Sequence, residues 1–277
     1  MQNRDKTQHL SLQELLDLRS KEAAQIEFQL VAETGSTNDD LLRNLANLNG
    51  PTLLSAASQT AGRGRAGRTW TAAPHQGLTF SLAWKMRQST QELMGLSLAI
   101  GVAIADALKQ LHVAVQLKWP NDILREQKKF AGILIETAPA TINADSTFLD
   151  NATEAATWVV IGVGLNLEVD ATMEATIGHA VADSPWLAQM NRNLLLSTLV
   201  NHMASAVSIF EKQGLRPFIE RWKHYHAHEG KQVRMVENGS TIAEGIALGI
   251  DARGALMLQT AHGQQTFYTG DVSLRPV

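Results

Sequence analysis

One stretch of the sequence, from Gln59 to Trp70, interleaves three glycines with three arginines. Glycine permits positive φ and close approach of backbone N–H groups to a ligand. Arginine adds fixed positive charge and paired donors that suit phosphate and carboxylate. We interpret the stretch as an anion-binding loop whose exit residue, Trp70, offers a flat face to a heterocycle. The residues concerned are Gly62, Arg63, Gly64, Arg65, Gly67 and Arg68.

Other interpretations of this loop are a solvated surface loop and a dinucleotide-binding fingerprint. The spacing of Gly62, Gly64 and Gly67 does spell G-x-G-x-x-G, but that fingerprint needs a helix directly after it. Residues 69–71 favour a strand and Pro74 follows, so we reject the fingerprint. No G-x-x-x-x-G-K-[ST] loop occurs in the sequence.

Polar residues elsewhere allow both a plain and a functional interpretation. Ser36, Thr37 and Asn38 follow a predicted strand and either only cap a helix or also offer hydroxyls and N–H groups to a ligand. Lys129 begins an apolar strand, where a solvated edge charge is the usual interpretation. Asn166 ends the run Gly162-Val-Gly-Leu-Asn166, and its plain interpretation is a turn residue.

Composition narrows the function classes. The chain has 277 residues, 44% hydrophobic content and a formal net charge of −3, which gives no global nucleic-acid footprint. It has no cysteine, so disulfides, cysteine-bound metal and a thiol nucleophile are excluded. The polar N-terminus indicates no signal peptide, and Leu93–Leu111 contains two charged residues that favour a buried helix over a membrane span. We therefore expect a cytoplasmic protein that does not bind a membrane.

The residue pattern divides the chain near residues 226–231. Before this boundary we expect strands at 26–32, 53–58, 78–84, 115–119 and 158–163, a hairpin at 123–137 with its turn at 126–128, and helices at 93–111, 194–213 and 216–225. After it, short strands at 232–237, 242–250, 255–260 and 264–268 predict a small β-barrel. His224, His226 and His228 stand two residues apart at a helix end, where no acidic cluster supports a metal site.

Four motifs occur in the order and spacing of biotin–protein ligases, a family that this sequence resembles from about residue 26 to its C-terminus. Ser36-Thr-Asn38 upstream fits the same pattern. The motifs are Gly62-Arg-Gly-Arg-Ala-Gly-Arg-Thr-Trp70, Lys118-Trp-Pro-Asn-Asp122, Lys129-Phe-Ala-Gly-Ile-Leu134 and Gly162-Val-Gly-Leu-Asn166.

The resemblance implies an α+β fold. Its mixed central sheet with helices is similar to that of class II aminoacyl-tRNA synthetases, and a small C-terminal SH3-like β-barrel follows. We expect an N-terminal extension with a short helix at 1–25, a catalytic domain at 26–228 and the barrel at 229–277. Relatives that double as repressors carry a winged helix-turn-helix of about 60 residues, whereas 35 residues precede Ser36 here. We expect a monofunctional ligase that does not bind DNA.

The implied reaction has two steps and needs ATP with Mg²⁺. Biotin and ATP first give biotinyl-5′-AMP and pyrophosphate. A specific lysine of the biotin carboxyl carrier protein, a subunit of acetyl-CoA carboxylase, then attacks the mixed anhydride. No covalent nucleophile of the enzyme is needed, which agrees with the missing cysteine. A homodimer is possible.

The resemblance also implies a role for each matching residue. Arg65 and Lys129 would be catalytic, because they would neutralise a carboxylate and a phosphate that approach each other. Ala66 stands where some relatives have another arginine, which leaves one phosphate contact unassigned. No residue is expected to ligate a metal. Biotin would contact Ser36, Thr37, Asn38, Gln59, Arg63, Gly64, Arg65, Lys129 and Gly132, and the nucleotide would contact Arg65, Arg68, Trp70, Asn121, Lys129 and Asn166.

Two alternatives stay open at this point. A lipoate or octanoate ligase or transferase shares the catalytic scaffold, although the complete Gly/Arg loop and the C-terminal strands favour the biotin enzyme. A nucleic-acid-binding module could use the arginines of the loop, but 24 basic against 27 acidic residues disfavour it.

Overall fold

Two β-sheets organise the chain, and the computed structural model describes residues 9–71, 76–140, 156–169, 181–237, 239–268 and 272–276. The first sheet is mixed and has seven strands in the order β1-β2-β3-β7-β6-β5-β4. Its only parallel pair within these ranges is β1–β2. The strands are β1 (Glu27–Thr34), β2 (Thr52–Gln59), β3 (Gly77–Met86), β4 (Gln116–Lys118), β5 (Asp122–Arg125), β6 (Lys128–Pro139) and β7 (Thr157–Asn166).

Two long helices cover one face of this sheet and form the main core. They are α3 (Leu96–Gln110) and α5 (Arg192–Gln213), which pack against each other. Gly95 precedes α3 with φ of 86°, and a Cβ there would lie 2.7 Å from Leu215 Cδ2, so glycine is required. The other helices are α1 (Leu12–Asp17), α2 (Thr37–Asn44), α4 (Pro185–Gln189) and α6 (Ile219–Tyr225), and 3₁₀ turns occur at Leu45–Asn47 and Arg216–Phe218.

Helix α5 is long and apolar enough to cross a membrane by length and composition alone. However, 67% of its apolar window is buried inside the fold, against α3 and the sheet. This burial is typical of the central helix of a globular core. The apolar character of α5 is therefore explained by packing.

The second sheet is antiparallel and has five strands in the order β11-β10-β9-β8-β12. The prediction of four strands here missed β12, and a closed barrel is not formed, because β11 and β12 are both edge strands among the residues described. The α+β class is confirmed. The strands are β8 (Gln232–Glu237), β9 (Ser240–Ile250), β10 (Leu256–Thr260), β11 (Gly263–Phe267) and β12 (Val272–Pro276).

A buried tryptophan joins the two sheets. Trp119 is fully buried, and its Nε1 donates a hydrogen bond of 3.1 Å to Gly254 O in the turn between β9 and β10. Leu117 O accepts a 2.9 Å hydrogen bond from Ala227 N just before the second sheet. The C-terminal sheet is thus fixed to the segment that leads into Asn121 and Asp122.

Most predicted elements exist, with bounds shifted by at most three residues. One of these shifts matters for the site. Residues 162–166 were expected to follow a strand, but they lie inside β7. Residues 138–153 were expected to form a hairpin loop and residues 168–190 an irregular segment. The second expectation is wrong for Pro185–Gln189, which form α4. Residues 141–155 and 170–180 lie outside the described residues, as do Pro74 and the first eight residues.

Candidate functional site

One pocket collects most of the predicted site residues, on the face of the large sheet that carries α2. Its walls come from the start of α2, the Gly/Arg loop (residues 60–71) and the middle of β3, β6 and β7. Its free volume is about 50 Å³, which holds a few water molecules. Predicted site residues that line it are Ser36, Thr37, Asn38, Gln59, Arg63, Gly64, Arg65, Trp70, Asn121, Lys129 and Gly132.

The Gly/Arg loop folds back on itself as an irregular hairpin. Gly64 N donates to Arg68 O at 2.7 Å, and Trp70 N donates to Gly62 O at 2.9 Å. Positive φ occurs at Ala66 (53°) and Gly67 (70°). Gly62 and Gly64, where positive φ was also expected, do not have it. Gly62 is needed for another reason, because a Cβ there would collide with the carbonyl oxygen of Trp70.

The indole of Trp70 fills a slot between two strands. Gly132 on β6 pairs with Gly164 on β7, and neither has a side chain to occupy the space above the sheet. A Cβ on Gly164 would collide with the indole, and one on Gly132 would lie 3.5 Å from it. Gly164 was not among the predicted site residues, and the indole explains why this position of β7 is a glycine.

Two buried polar atoms near this slot have no hydrogen-bond partner in the part of the chain that the structure describes. They are Trp70 Nε1, a donor, and Asn166 Oδ1, an acceptor. Asn166 is two residues beyond Gly164 and so lies on the same face of β7. Buried polar atoms are seldom left unpaired, and these two are available to a ligand bound at the slot.

A hydrogen-bonded cluster forms the floor of the pocket. Thr37 N donates to Gln59 Oε1 at 2.8 Å, and Thr37 Oγ1 lies 3.0 Å from the same oxygen. Thr37 Oγ1 also lies 2.6 Å from Ser81 Oγ, which donates to Asn38 Oδ1 at 2.5 Å. Ser36 is the N-cap of α2 and accepts from Asp39 N at 3.4 Å.

The guanidinium of Arg63 forms ion pairs with two carboxylates of the protein. Its Nη2 lies 2.5 Å from Asp39 Oδ1 and 2.6 Å from Glu136 Oε2. These two carboxylates come from α2 and β6, so the arginine ties the Gly/Arg loop to both elements. Two carboxylates of the protein thus already neutralise Arg63, which was predicted to contact biotin.

Cations surround one carboxylate at the opposite end of the pocket. Lys129 Nζ lies 2.7 Å from Asp122 Oδ1, and Lys118 Nζ lies 3.6 Å from the other oxygen. Burial alone would raise the pKa of Asp122, but the charges of Lys129 and Lys118 outweigh it and hold the pKa below its usual value. Burial lowers the pKa of Lys118, and Asp122 opposes this.

Arg65 connects this end of the pocket to the strand-to-turn corner, because its Nη1 donates to Asn121 Oδ1 at 3.4 Å. Asn121 is itself held by its Nδ2, which donates to Ile133 O at 2.8 Å. Two predicted nucleotide contacts, Arg68 and Asn166, do not line the pocket. Arg68 is exposed but close enough to Asp122 to help lower its pKa.

Sequence reasoning missed Ser81, Asp122 and Glu136 as members of the site. Ser81 was detectable, since it is a hydroxyl between Phe80 and Leu82 in a mostly apolar strand. Asp122 belongs to a quoted motif, but its partner Lys129 is on another strand. Glu136 had no sequence signal, because the residues it contacts, Asn38 and Arg63, are more than 70 positions away.

No group of three His, Asp or Glu side chains that could hold a metal ion is found within the described ranges. His226 and His228 are both buried, with ring centroids 6.1 Å apart. The ring of His226 packs on Trp222 at 4.4 Å. These histidines contribute to the junction between the two sheets.

The fold and the pocket define an α+β domain that binds a small molecule, joined to a small antiparallel sheet. The sequence model of the Biotin/lipoate A/B protein ligase family matches residues 30–149, and that of the Biotin protein ligase C terminal domain matches residues 228–275. The chain is 32% identical over 247 residues to the Bifunctional ligase/repressor BirA of Escherichia coli, with 87% of this chain and 71% of that protein covered. It is 33% identical over 265 residues to the Biotin--[acetyl-CoA-carboxylase] ligase of Mycobacterium tuberculosis, with 89% and 88% covered.

Among solved structures, the biotin protein ligase from Aquifex aeolicus in complex with biotin and ATP has the same fold. Its TM-score is 0.71 at 23% identity, with 91% of this chain and 99% of that chain covered. The chain belongs to the biotin protein ligase family, which confirms the resemblance drawn from the four motifs.

Proposed function

We propose that the protein activates biotin with ATP as biotinyl-5′-AMP and transfers the biotinyl group to a lysine of a biotin carboxyl carrier protein. One observation carries the proposal: a single pocket joins a floor of neutral hydrogen-bonding groups to a rim of cations. Thr37 and Gln59 represent the floor, and Arg65 and Lys129 represent the rim. Biotin has a cyclic urea at one end and a carboxylate at the other, and this polarity matches that of the pocket.

The proposed biotin pose places the urea on the floor and the fused rings against the glycine slot. Gly132 and Gly164 expose a flat strip of backbone there, which only a planar or compact group can approach closely. The carboxylate then extends toward Lys129. In this pose Trp70 must leave the slot or slide along it, because the free volume of about 50 Å³ is too small for a bicyclic ring.

The first chemical step joins two anions. A carboxylate oxygen of biotin attacks the α-phosphorus of ATP, the P–O bond to the β-phosphate breaks, and pyrophosphate leaves with that electron pair. Cations already fixed at the point of attack stabilise the charge that develops there. Lys129 and Arg65 serve this purpose, and Asn121 and Asp122 keep them in place.

ATP is proposed to enter as its Mg²⁺ complex. Mg²⁺ is commonly bound through substrate phosphates and few protein carboxylates, which agrees with carboxylates at the pocket that already have cationic partners. The unpaired atoms Trp70 Nε1 and Asn166 Oδ1 support a nucleotide base beside the slot, since a purine carries both donors and acceptors. The need for ATP also supports a cytoplasmic location.

The acceptor lysine is proposed to arrive through a second groove that opens from the first at Arg65 and Asn121. This groove holds about 300 Å³ and runs between the start of α3 and the C-terminal sheet. Its walls include Met94 and Tyr268, two of the exposed large hydrophobic residues. A carrier domain could cover these side chains while its lysine reaches the adenylate.

Biotin-dependent exchange of pyrophosphate into ATP tests the first step, and labelling of a purified carrier domain tests the second. Exchange that requires biotin, and a carrier that gains one biotin, are the expected results. Exchange with lipoate and none with biotin would instead assign the protein to the lipoate branch of the same family.

A further inference from the structure

We infer that Ser81 is a positioning residue that sets which hydrogen-bonding groups the pocket accepts. It acts within a chain of four side chains, here called the relay: Glu136, Asn38, Ser81 and Thr37. The inference rests on the proposed function, because it concerns the ring that the pocket binds. Ser81 has no exposed surface and belongs to none of the four motifs.

The relay begins with the amide of Asn38, whose orientation is fixed by its neighbours. Nδ2 lies 2.9 Å from Glu136 Oε2 and 3.5 Å from Leu134 O. Both of these atoms are acceptors, so the amide nitrogen must face them and the amide oxygen must face Ser81. Gly162 leaves room for this arrangement, because a Cβ there would collide with Asn38 Oδ1.

The two hydroxyl protons of the relay then have one arrangement. The contacts from Ser81 Oγ to Asn38 Oδ1 (2.5 Å) and to Thr37 Oγ1 (2.6 Å) are each short enough to need a proton between the oxygens. Asn38 Oδ1 has no proton to give. Ser81 must therefore donate to Asn38, and Thr37 must donate to Ser81. Gln59 Oε1 lies 3.0 Å from Thr37 Oγ1 and is a second, longer acceptor for the same proton.

The direction of the relay determines what a ligand meets. Thr37 Oγ1 has used its proton, so it presents only lone pairs to the pocket. Gln59 Oε1 already accepts from Thr37 N at 2.8 Å, which leaves its Nε2 as a donor, and Ser36 Oγ can donate its own proton. An acceptor beside donors matches an N–H next to a carbonyl, as in a cyclic urea. The dithiolane ring of lipoate offers neither group.

The test compares biotin with its two carbamate analogues, in each of which a ring oxygen replaces one ureido N–H. The analogue that places its ring oxygen at Thr37 brings two acceptors together, and wild-type protein should bind it at least about 10²-fold more weakly than biotin. In Ser81→Ala the Thr37 hydroxyl loses its short contact and keeps only Gln59 Oε1, at 3.0 Å, as a protein acceptor, so its proton can turn toward that ring oxygen. We expect the preference for biotin to fall by about tenfold, as measured by calorimetric titration.

Ser55→Ala is the matched control, because Ser55 is a buried serine on the adjacent strand β2 that donates to Thr79 O at 3.1 Å, outside the relay. It should leave the preference unchanged. Glu136→Gln provides a second variant, since an amide at 136 lets Asn38 reverse and should also lower the preference. Wild-type preference in both Ser81→Ala and Glu136→Gln would overturn the relay. A wild-type protein that does not bind biotin would overturn the proposed function, and the relay with it.

Discussion

Lys129 Nζ and Asp122 Oδ1 lie 2.7 Å apart. This ion pair connects the motif that begins at Lys129 with the motif that ends at Asp122. Lys118, the first residue of the latter motif, faces the second oxygen of the same carboxylate. One carboxylate thus holds two ammonium groups in fixed positions at the rim of the pocket. A cation that is already oriented needs no reorganisation when the carboxylate and the phosphate meet.

Lys129→Ala should slow biotin-dependent pyrophosphate exchange by about 10²–10³-fold, because removal of one preorganised electrostatic donor typically has an effect of this size. Lys128→Ala is the matched control, since Lys128 is the adjacent residue and is exposed; it should stay within about twofold of wild type. Near-normal exchange in Lys129→Ala would show that this lysine is not the catalytic cation.

Asp122→Asn should also slow pyrophosphate exchange, because Lys129 loses the carboxylate that holds its ammonium group in place. If so, the double variant Asp122→Asn with Lys129→Ala should be little slower than Lys129→Ala alone, because residues that act as a unit are not additive. Single-turnover adenylation measures this directly. Effects that multiply in the double variant would mean that the two residues act separately.

Ligand binding should move the indole of Trp70, which occupies the slot above Gly132 and Gly164 in this structure. Tryptophan fluorescence should therefore change when biotin or biotinyl-AMP is added. The chain has six tryptophans, so the change must be compared with that of Trp70→Phe. An equal signal in Trp70→Phe would assign the change to another tryptophan.

Gly164→Ala tests the slot from the other side. Its Cβ would collide with the indole, so we expect displaced tryptophan, altered fluorescence without ligand and at least tenfold weaker biotin binding. Gly50→Ala is the control, since no atom lies within 4 Å of a Cβ at that position. Biotin affinity unchanged in Gly164→Ala would show that the ligand does not use the slot.

Asp39→Asn should loosen the Gly/Arg loop, because Asp39 is one of the two carboxylates that hold Arg63. Trypsin should then cleave after Arg65 and Arg68 faster than in wild type, and biotin with ATP should slow the cleavage in both. Asp40→Asn removes a neighbouring carboxylate that contacts Thr34 and Arg43 instead, and its cleavage rate should match wild type. Equal rates in Asp39→Asn and Asp40→Asn would contradict the restraint.

Stability should fall as the solution is acidified from about pH 6.5 to about pH 4. Burial, together with the charges of His226, Lys118 and Lys231, lowers the pKa of His228 to about 4 from the usual histidine value of 6.5. The unfolded chain therefore binds a proton in this range that the folded chain does not, and protonation favours unfolding. Urea unfolding at several pH values measures the slope, which should be smaller in His228→Gln. A slope that His228→Gln leaves unchanged would exclude this histidine as the cause.

The sequence predicted the parts of the site that are contiguous and failed where distant residues meet. Periodicity located β3 and α3, because their apolar residues repeat at the spacing of a strand and a helix. The motifs placed Lys129 and Asn121 in one pocket. Nothing in the sequence could show that Arg63 is engaged by Asp39 and Glu136, since that contact depends on how α2 and β6 are juxtaposed.

The glycines of the loop illustrate a second limit. Their spacing indicated a loop made for close approach, but not which of them needs positive φ. Gly67 does, whereas Gly62 is required by the nearby backbone of Trp70. Tertiary contacts, which are absent from a single sequence, decide between these two uses of glycine. The same holds for Gly164, which is required in β7 because the indole of Trp70 lies directly above it.

The hydrogen bond from Trp119 Nε1 to Gly254 O bears on how far this chain can be shortened. A protein cut after residue 228 would keep every side chain that lines the pocket, yet it would leave the indole N–H of Trp119 without its acceptor, two residues from Asn121. The small sheet is therefore a structural part of the enzyme's catalytic unit. Minimal labelling enzymes engineered from this chain must retain it or replace the lost acceptor.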